Sequence, residues 1–178
     1  MKKYEGLYGL YCGRFNPVHR GHEIVIREML ELFGPERSRI VIGSANTSQS
    51  LRHFFSYEER RELIKTIFPE VKVMPLGDFG TSDAEWIRAL DDLLESSGMD
   101  PAKTVFFGGC EEDISFFLAL NRTCHILNRF DGTTPKISAT EIRDNLIHDR
   151  DMNGFLNPII EEKVRNLFKV KWLDFQKK

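Results

Sequence analysis

Long apolar runs are missing from this sequence. Its longest, such as Thr104 to Phe107 and Ile114 to Leu120, fall far short of the roughly 20 residues that cross a bilayer, which excludes a helical membrane span. A basic excess is missing too. Lys and Arg number 25 against 27 Asp and Glu, for a formal net charge of -2, so the chain has no coat for nucleic acid or an anionic membrane. Any polyanion it handles is expected to be small and held at a local site. Cysteine is scarce: Cys12, Cys110 and Cys124 form an odd set without C-x-x-C spacing, each in or beside an apolar strand run, and are read as reduced core residues. Met1 to Gly6 carry two lysines but neither the apolar core nor the small-residue cleavage site of a secretory signal, so the expected location is the cytoplasm. Repeats, low-complexity stretches and interdomain linkers are also absent. A chain of 178 residues with 41% hydrophobic and 29% charged residues suits a single domain, with a core over about 6–147 and a C-terminal helical segment over about 148–178.

What is present is an alternation of strand-like and helix-like stretches. Leu7 to Cys12 is short, apolar and ends at a glycine; Glu23 to Phe33 sets Ile24, Ile26, Met29, Leu30 and Phe33 at mostly helical spacing and stops at Gly34-Pro35. Strands are then expected at Arg39 to Ile42, Val71 to Leu76, Thr104 to Phe107 and Cys124 to Leu127. Between them, helices are expected from Ser56 with Glu59 three positions on, from Ser82 with Glu85 to about Ser96, and over Glu111 to Leu120. Two more should follow, from about Ala139 to Ile147 and from Pro158 to Phe168, the last opened by Asn157 as cap before a first-turn proline. Five strands joined by helices imply crossover connections. The expected fold is therefore α/β, a doubly wound, Rossmann-like five-stranded parallel sheet with helices on both faces and C-terminal helices.

Ligands of such folds bind outside the carboxyl ends of the strands, so the loop after the first strand is the place to search. It reads Gly13-Arg14-Phe15-Asn16-Pro17-Val18-His19-Arg20-Gly21-His22. Two histidines three apart at a helix entrance can face one ligand, Gly21 lets a phosphate approach the backbone, and the exposed N–H groups favour an anion. Imidazole donors neutralise charge on a phosphate without acting as nucleophiles, and Arg14 adds a fixed cation. The plainer reading is that His19 and His22 cap the helix or bind a metal, although no third ligand of suitable type stands nearby in sequence.

A second cluster, Ile137-Ser138-Ala139-Thr140-Glu141-Ile142-Arg143, follows the fifth strand. Taken alone it is a well-made helix start, with Ser138 as N-cap and Glu141 closing a capping box. The same geometry presents backbone N–H groups, two hydroxyls and the Arg143 guanidinium to an anion across the cleft from the histidines. Two anion-binding helix entrances facing one crevice would make a nucleoside triphosphate site.

Gly13 to His22, with H-x-G-H at His19 to His22, and the I-S-x-T-x-x-R pattern of Ile137 to Arg143 resemble the paired motifs of the nucleotidyltransferase superfamily related to class I aminoacyl-tRNA synthetases. The Gly-Arg-Phe-x-Pro-x-His opening is similar to the archaeal-type nicotinamide mononucleotide adenylyltransferases. So are Ile42-Gly43-Ser44-Ala45-Asn46, Ser50-Leu51-Arg52, Phe55 to Arg60, and Pro75-Leu76-Gly77-Asp78 leading to Trp86. The resemblance runs from residue 6 to about 168. It implies that His19, His22 and Arg143 are catalytic, the histidines on the triphosphate and Arg143 with Ser138 and Thr140 on its outer phosphates. It puts Arg14 and Arg52 on phosphate as well, with Gly13, Phe15, Asn16 and Gly21 bordering the ATP site. Ser44, Asn46, Asp78 and Trp86 would form the acceptor pocket, Trp86 stacking on the nicotinamide ring. Ala139 stands where the motif usually has Gly, and Asn16 where relatives often carry Gln.

The implied reaction transfers AMP from ATP to nicotinamide mononucleotide by direct displacement, giving NAD and pyrophosphate, with Mg2+ arriving on ATP. A mononucleotide and ATP are the expected partners, with neither nucleic acid nor membrane, and the resemblance suggests a homo-oligomer. Other acceptors keep the same chemistry: nicotinate mononucleotide, flavin mononucleotide, phosphopantetheine or, with CTP, a phosphorylated alcohol. His19 argues against phosphopantetheine and the Gly13-Arg14 opening against the cytidylyltransferases; a nucleotide sensor would be expected to have lost one of His19, His22 and Arg143. Without the resemblance, Trp86 reads as a core-facing helix residue and Glu58, Glu59, Arg60, Arg61 and Glu62 as a solvated helix face; the resemblance makes Arg60 alone of these worth testing. Glu111, Glu112 and Asp113 read as complements to a helix N-terminus, and the basic tail from Lys169 to Lys178 as a segment packing Trp172 on the domain.

Overall fold

The computed structural model describes residues 4–48, 50–78, 80, 82–127 and 137–177. Lys2, Lys3 and Lys178, which entered the reading of the two termini, lie outside them. The strands are β1 (Tyr8–Gly13), β2 (Ser38–Ile42), β3 (Lys72–Pro75), β4 (Thr104–Gly108) and β5 (Cys124–Ile126). The helices are α1 (Arg20–Phe33), α2 (Tyr57–Ile67), α3 (Asp83–Ser96), α4 (Glu111–Ala119), α5 (Ala139–Ile147) and α6 (Pro158–Phe175), with short 3-10 turns at Pro35–Arg37 and Pro101–Lys103. All strand pairs are parallel, in the order β3-β2-β1-β4-β5. Strand order therefore reverses between β1 and β4, and a crevice opens there beyond the carboxyl ends.

Each strand splits its side chains between two apolar layers, as the two-residue period of a pleated strand requires. Leu10, Val41, Met74 and Phe106 face Leu90 and Leu94 of α3 and Ile114 and Phe117 of α4. Tyr11, Ile40, Ile42, Val73, Val105 and Phe107 face α1, α2, α5 and α6 through residues such as Val25, Leu63, Ile142 and Val164. At about 1.5–3 kcal/mol for each fully buried large apolar side chain, both layers drive helices onto the sheet. The motif helix lies so close to β1 that a Cβ at Gly9 would meet Met29 Cγ at 2.7 Å.

The helix starts follow the capping chemistry. Ser56 accepts from Glu59 N while Glu59 Oε2 accepts from Ser56 N, a complete reciprocal pair. Ser82 and Ser138 each accept from the backbone N–H three residues on, and Asn157 Oδ1 accepts from Ile159 N. α1 opens three residues early, at Arg20 instead of Glu23, and the largest boundary shift is at the end of α6, which continues beyond Phe168 to Phe175. An aromatic ladder carries it, with Phe168 stacked on Phe54 at 4.5 Å and Trp172 on Phe168 and Phe175 at 5.7 Å each. Lys171 Nζ joins the same wall, donating to Glu59 Oε2 at 2.5 Å. Among the described residues no helix is long and apolar enough to cross a membrane.

Candidate active site

The loop between β1 and α1 is held from several sides. Asn16, 2% exposed, accepts from Phe55 N at 3.0 Å and donates to Arg52 O at 3.2 Å, which binds it to the loop between β2 and α2. The start of α1 is backed by the segment leading into α6: Arg20 N donates to Phe155 O at 2.9 Å, and Nδ2 of Asn157, the α6 cap, donates to the buried Glu23 carboxylate at 3.0 Å. Glu23 also neighbours the Arg20 and Arg27 guanidinium groups at 3.5 Å. The motif helix is thereby fixed at its first turn.

His19 and His22 do cap α1, and in an uncommon way. His22 N donates to His19 Nδ1 at 3.4 Å and His19 N donates to His22 Nδ1 at 3.3 Å, a capping box built from two imidazoles. Their rings stack with centroids 3.6 Å apart. Because each Nδ1 accepts from a backbone N–H, a neutral ring in this geometry would carry its proton on Nε2. Capping through Nδ1 is compatible with donation from Nε2.

These side chains open on a cleft of about 1070 Å3. It is lined by Gly13, Arg14, Phe15, Asn16, His19 and His22 from the β1 end, Ser44 and Arg52 from the β2 end, Asp78 from the β3–α3 connection, Trp86 from the first turn of α3, and Ser138, Thr140 and Arg143 from the cap and first turns of α5. Two expected residues are not in its lining. Gly21 is buried in the first turn of α1. Asn46 is instead turned onto the neighbouring loop, donating to Asp78 O at 2.9 Å while its Oδ1 accepts from Asp78 N at 2.8 Å. It ties the loop of Ser44 and Arg52 to the loop of Asp78 without bordering the cleft.

Arg143 reaches across the cleft, Nη1 donating to Asn16 O at 2.6 Å and Nη2 to Thr140 Oγ1 at 3.2 Å. The two motifs thus touch. Trp86 is half-buried and answers both readings given for it, packing near Phe116 and Phe117 at 6.1 and 6.3 Å between ring centroids while also lining the cleft. Crowded cations dominate the electrostatics. Burial, and then the charge of Arg52, push Arg14 below the ordinary arginine value; burial and then Arg14 do the same to Arg143. An anion entering between them would relieve both. His53, next to the cleft, is held below the usual imidazole value by burial and by Arg14 and Arg52.

Several contributors escaped the sequence reading. Cys12, read as a core residue, packs against the core layer under α3 and α4 and also lines the cleft, and burial pushes its thiol up to about 12. Asp113 also lines the cleft while its Oδ2 accepts from Gly109 N at 3.2 Å, so the capping role expected of the acidic trio is accompanied by exposure to a ligand. The largest departure is Arg60. It is 0% exposed, in contrast to the solvated face expected of its charge run, because four main-chain carbonyls surround its guanidinium: those of Arg14, Gly43, Ser44 and Ser56, at 2.9, 2.9, 3.0 and 3.2 Å. Neighbouring Glu58, Arg61 and Glu62 are exposed as expected. A smaller cavity of about 500 Å3 runs between α2 and α6 past Ile159, Lys163 and Val170, and none of the expected site residues lines it.

Comparison with known proteins places this cleft in a family. The model of the family described as cytidylyltransferase-like matches residues 10–145, which includes both motif loops. The chain belongs to that family. Its curated relatives include the phosphopantetheine adenylyltransferase of Nitrosospira multiformis, 26% identical over 167 residues covering 87% of this chain and 90% of that protein. They also include the nicotinamide-nucleotide adenylyltransferase of Thermococcus sibiricus, 28% identical over 170 residues covering 89% and 83%. Among solved structures, a bifunctional NMN adenylyltransferase/ADP ribose pyrophosphatase from Francisella tularensis superposes with a TM-score of 0.71 at 20% identity, over 95% of this chain and 51% of that one. This member of the cytidylyltransferase-like family thus spans about half the length of the Francisella protein and shares its fold, and the nucleotidyltransferase superfamily suggested by the two motifs is the one to which it belongs.

Proposed function

We propose that this protein is an adenylyltransferase that transfers AMP from ATP to nicotinamide mononucleotide, releasing pyrophosphate. The observation that carries this reading is the convergence in one cleft of the imidazoles of His19 and His22, the arginines Arg14, Arg52 and Arg143, and the half-buried Trp86. The first five suit phosphates; the last suits a flat heteroaromatic ring. A volume of about 1070 Å3 exceeds what one small ligand needs and accommodates two nucleotides.

In the reaction, an acceptor phosphate oxygen forms a bond to the α-phosphorus of ATP while the bond from that phosphorus to the bridging oxygen breaks, and pyrophosphate leaves with the electron pair. The nucleophile is already an anion, so no strong base is required. Nor is a covalent intermediate needed. The task left to the protein is to align two polyanions and neutralise the charge that accumulates, His19 and His22 by donation from Nε2 and Arg143, Ser138 and Thr140 on the outer phosphates. Among the described residues no group of three or more His, Cys, Asp or Glu converges as a metal cage. A magnesium ion would accordingly be held through the phosphate oxygens and water, adding positive charge where pyrophosphate departs.

Phosphopantetheine is the second acceptor to weigh, because relatives acting on it and on the nicotinamide nucleotide match this chain at similar identity. The test is pyrophosphate release from ATP and magnesium with nicotinamide mononucleotide, nicotinate mononucleotide, flavin mononucleotide or phosphopantetheine supplied separately. Release with nicotinamide mononucleotide together with NAD formation supports the reading. Release only with phosphopantetheine reassigns the pocket around Trp86, and no release with any acceptor overturns the transferase reading.

A further inference from the structure

We propose that Arg60, remote in sequence from both motifs, is a positioning residue for nucleotide transfer, locking the loops after β1 and β2 into the conformation that binds phosphate before any ligand arrives. The inference rests on the transferase reading of the cleft. Its basis is the set of groups that Arg60 holds. Phe15 and Ser44 are each non-glycine residues with φ of 49°, left-handed conformations that L-residues rarely adopt. Each follows directly on a carbonyl captured by Arg60: that of Arg14 at 2.9 Å and that of Gly43 at 2.9 Å. The Ser44 carbonyl is captured as well, at 3.0 Å. A single buried guanidinium therefore fixes the peptide planes on one or both sides of the two strained residues.

The orientation follows from peptide geometry. In a trans peptide the carbonyl and the N–H point in opposite directions, so turning the Arg14 and Gly43 carbonyls onto Arg60 turns the N–H groups of Phe15 and Ser44 away from it. Both residues line the cleft. The charge also matters, since three polarised carbonyls drawn to one buried cation no longer present their negative ends to an incoming polyphosphate. Four of the five N–H donors of a guanidinium are used in a planar fork that spans three separate segments, Arg14, Gly43–Ser44 and Ser56. A lysine ammonium, with three donors on one atom, cannot reach all four acceptors.

The test combines nuclear magnetic resonance relaxation of the Phe15 and Ser44 amides in ligand-free wild-type protein with ATP-binding calorimetry and steady-state kinetics of wild type and Arg60→Lys. In the wild type, both amides should be as rigid as those of β1. In Arg60→Lys they should become mobile, ATP should bind at least about tenfold more weakly, and turnover per folded molecule should drop well below the melting transition. A residue that only stabilises the fold would lower the melting temperature and leave binding and turnover of the folded fraction unchanged, which would overturn the proposal. If Arg60→Lys does not fold, the wild-type relaxation decides: mobile Phe15 and Ser44 amides overturn it, rigid ones uphold it. Wild-type protein that neither binds ATP nor releases pyrophosphate with any acceptor would sink the transferase reading instead, and the relaxation result would still report on the lock.

Discussion

The two walls of the cleft are built differently. On the wall of the H-x-G-H loop, Asn16, His19, Glu23 and Arg60 are nearly or fully buried and hydrogen-bonded to neighbouring loops or helix ends. On the wall of the β3–α3 connection, Asp78 is exposed, Trp86 is half-buried, and the loop of Asp78 is tied back by the side chain of Asn46. On the proposed function, the difference separates two tasks. Neutralising phosphate charge requires donors that do not reorganise, which calls for a dense polar scaffold. Selecting an acceptor ring requires a shaped surface that can vary between relatives without disturbing that scaffold, consistent with relatives of similar identity carrying different acceptor names.

Substitutions on the two walls should therefore fail in different ways. The largest effect is expected from His22→Ala, which removes an imidazole donor and half of the histidine capping box. Turnover should fall about 10^3-fold, while loss of the cap, about 1 kcal/mol, should lower Tm by only about 3 °C. Near-normal turnover would remove His22 from the chemistry. On the open wall, Trp86→Ala should raise KM for the acceptor about tenfold, the equivalent of about 1.4 kcal/mol, with a much smaller change in KM for ATP. Equal increases in both constants would make Trp86 a packing residue and erase the distinction between the walls. Asn46→Ala should act more mildly, raising the acceptor KM about threefold through the loosened Asp78 loop and costing about 1 kcal/mol of stability; kcat should be nearly unchanged.

The smallest effect concerns pH. The folded-state pKa of His53 lies below its unfolded value, so its contribution to stability is fully present above about pH 6.5 and is lost as pH falls through the folded value. Thermal melts of wild type and His53→Gln at pH 7.5 and pH 5 should show the wild type losing more stability on acidification. A wild type that instead gains on the variant at pH 5 would mean that a carboxylate such as Asp78 outweighs Arg14 and Arg52 around this ring.

Most of the fold was readable because its signals are local. The apolar runs of β1 to β5 and the capping residues Ser56, Ser82, Ser138 and Asn157 mark element ends within a few positions. The two loops were equally readable, as motifs at strand ends. What could not be read was decided across long separations. Arg60 looks like any helix-surface arginine until the loops 46 and 17 residues away fold over it with their carbonyls inward. Asn46 lies beside cleft residues in sequence, yet a loop 32 residues away offers its amide a reciprocal pair of backbone partners. The extension of α6 depends on Phe54, more than a hundred positions upstream, receiving Phe168. Each of these is a tertiary contact without periodicity or spacing to announce it.

The most direct measurement is the stereochemical course at phosphorus, followed with one diastereomer of adenosine 5'-O-(1-thiotriphosphate) and the acceptor that gives turnover. A cleft that aligns two nucleotides for direct transfer inverts the α-phosphorus in the dinucleotide product. Retention would require a covalent enzyme–nucleotide intermediate, and with it a nucleophile that the account of this cleft does not contain.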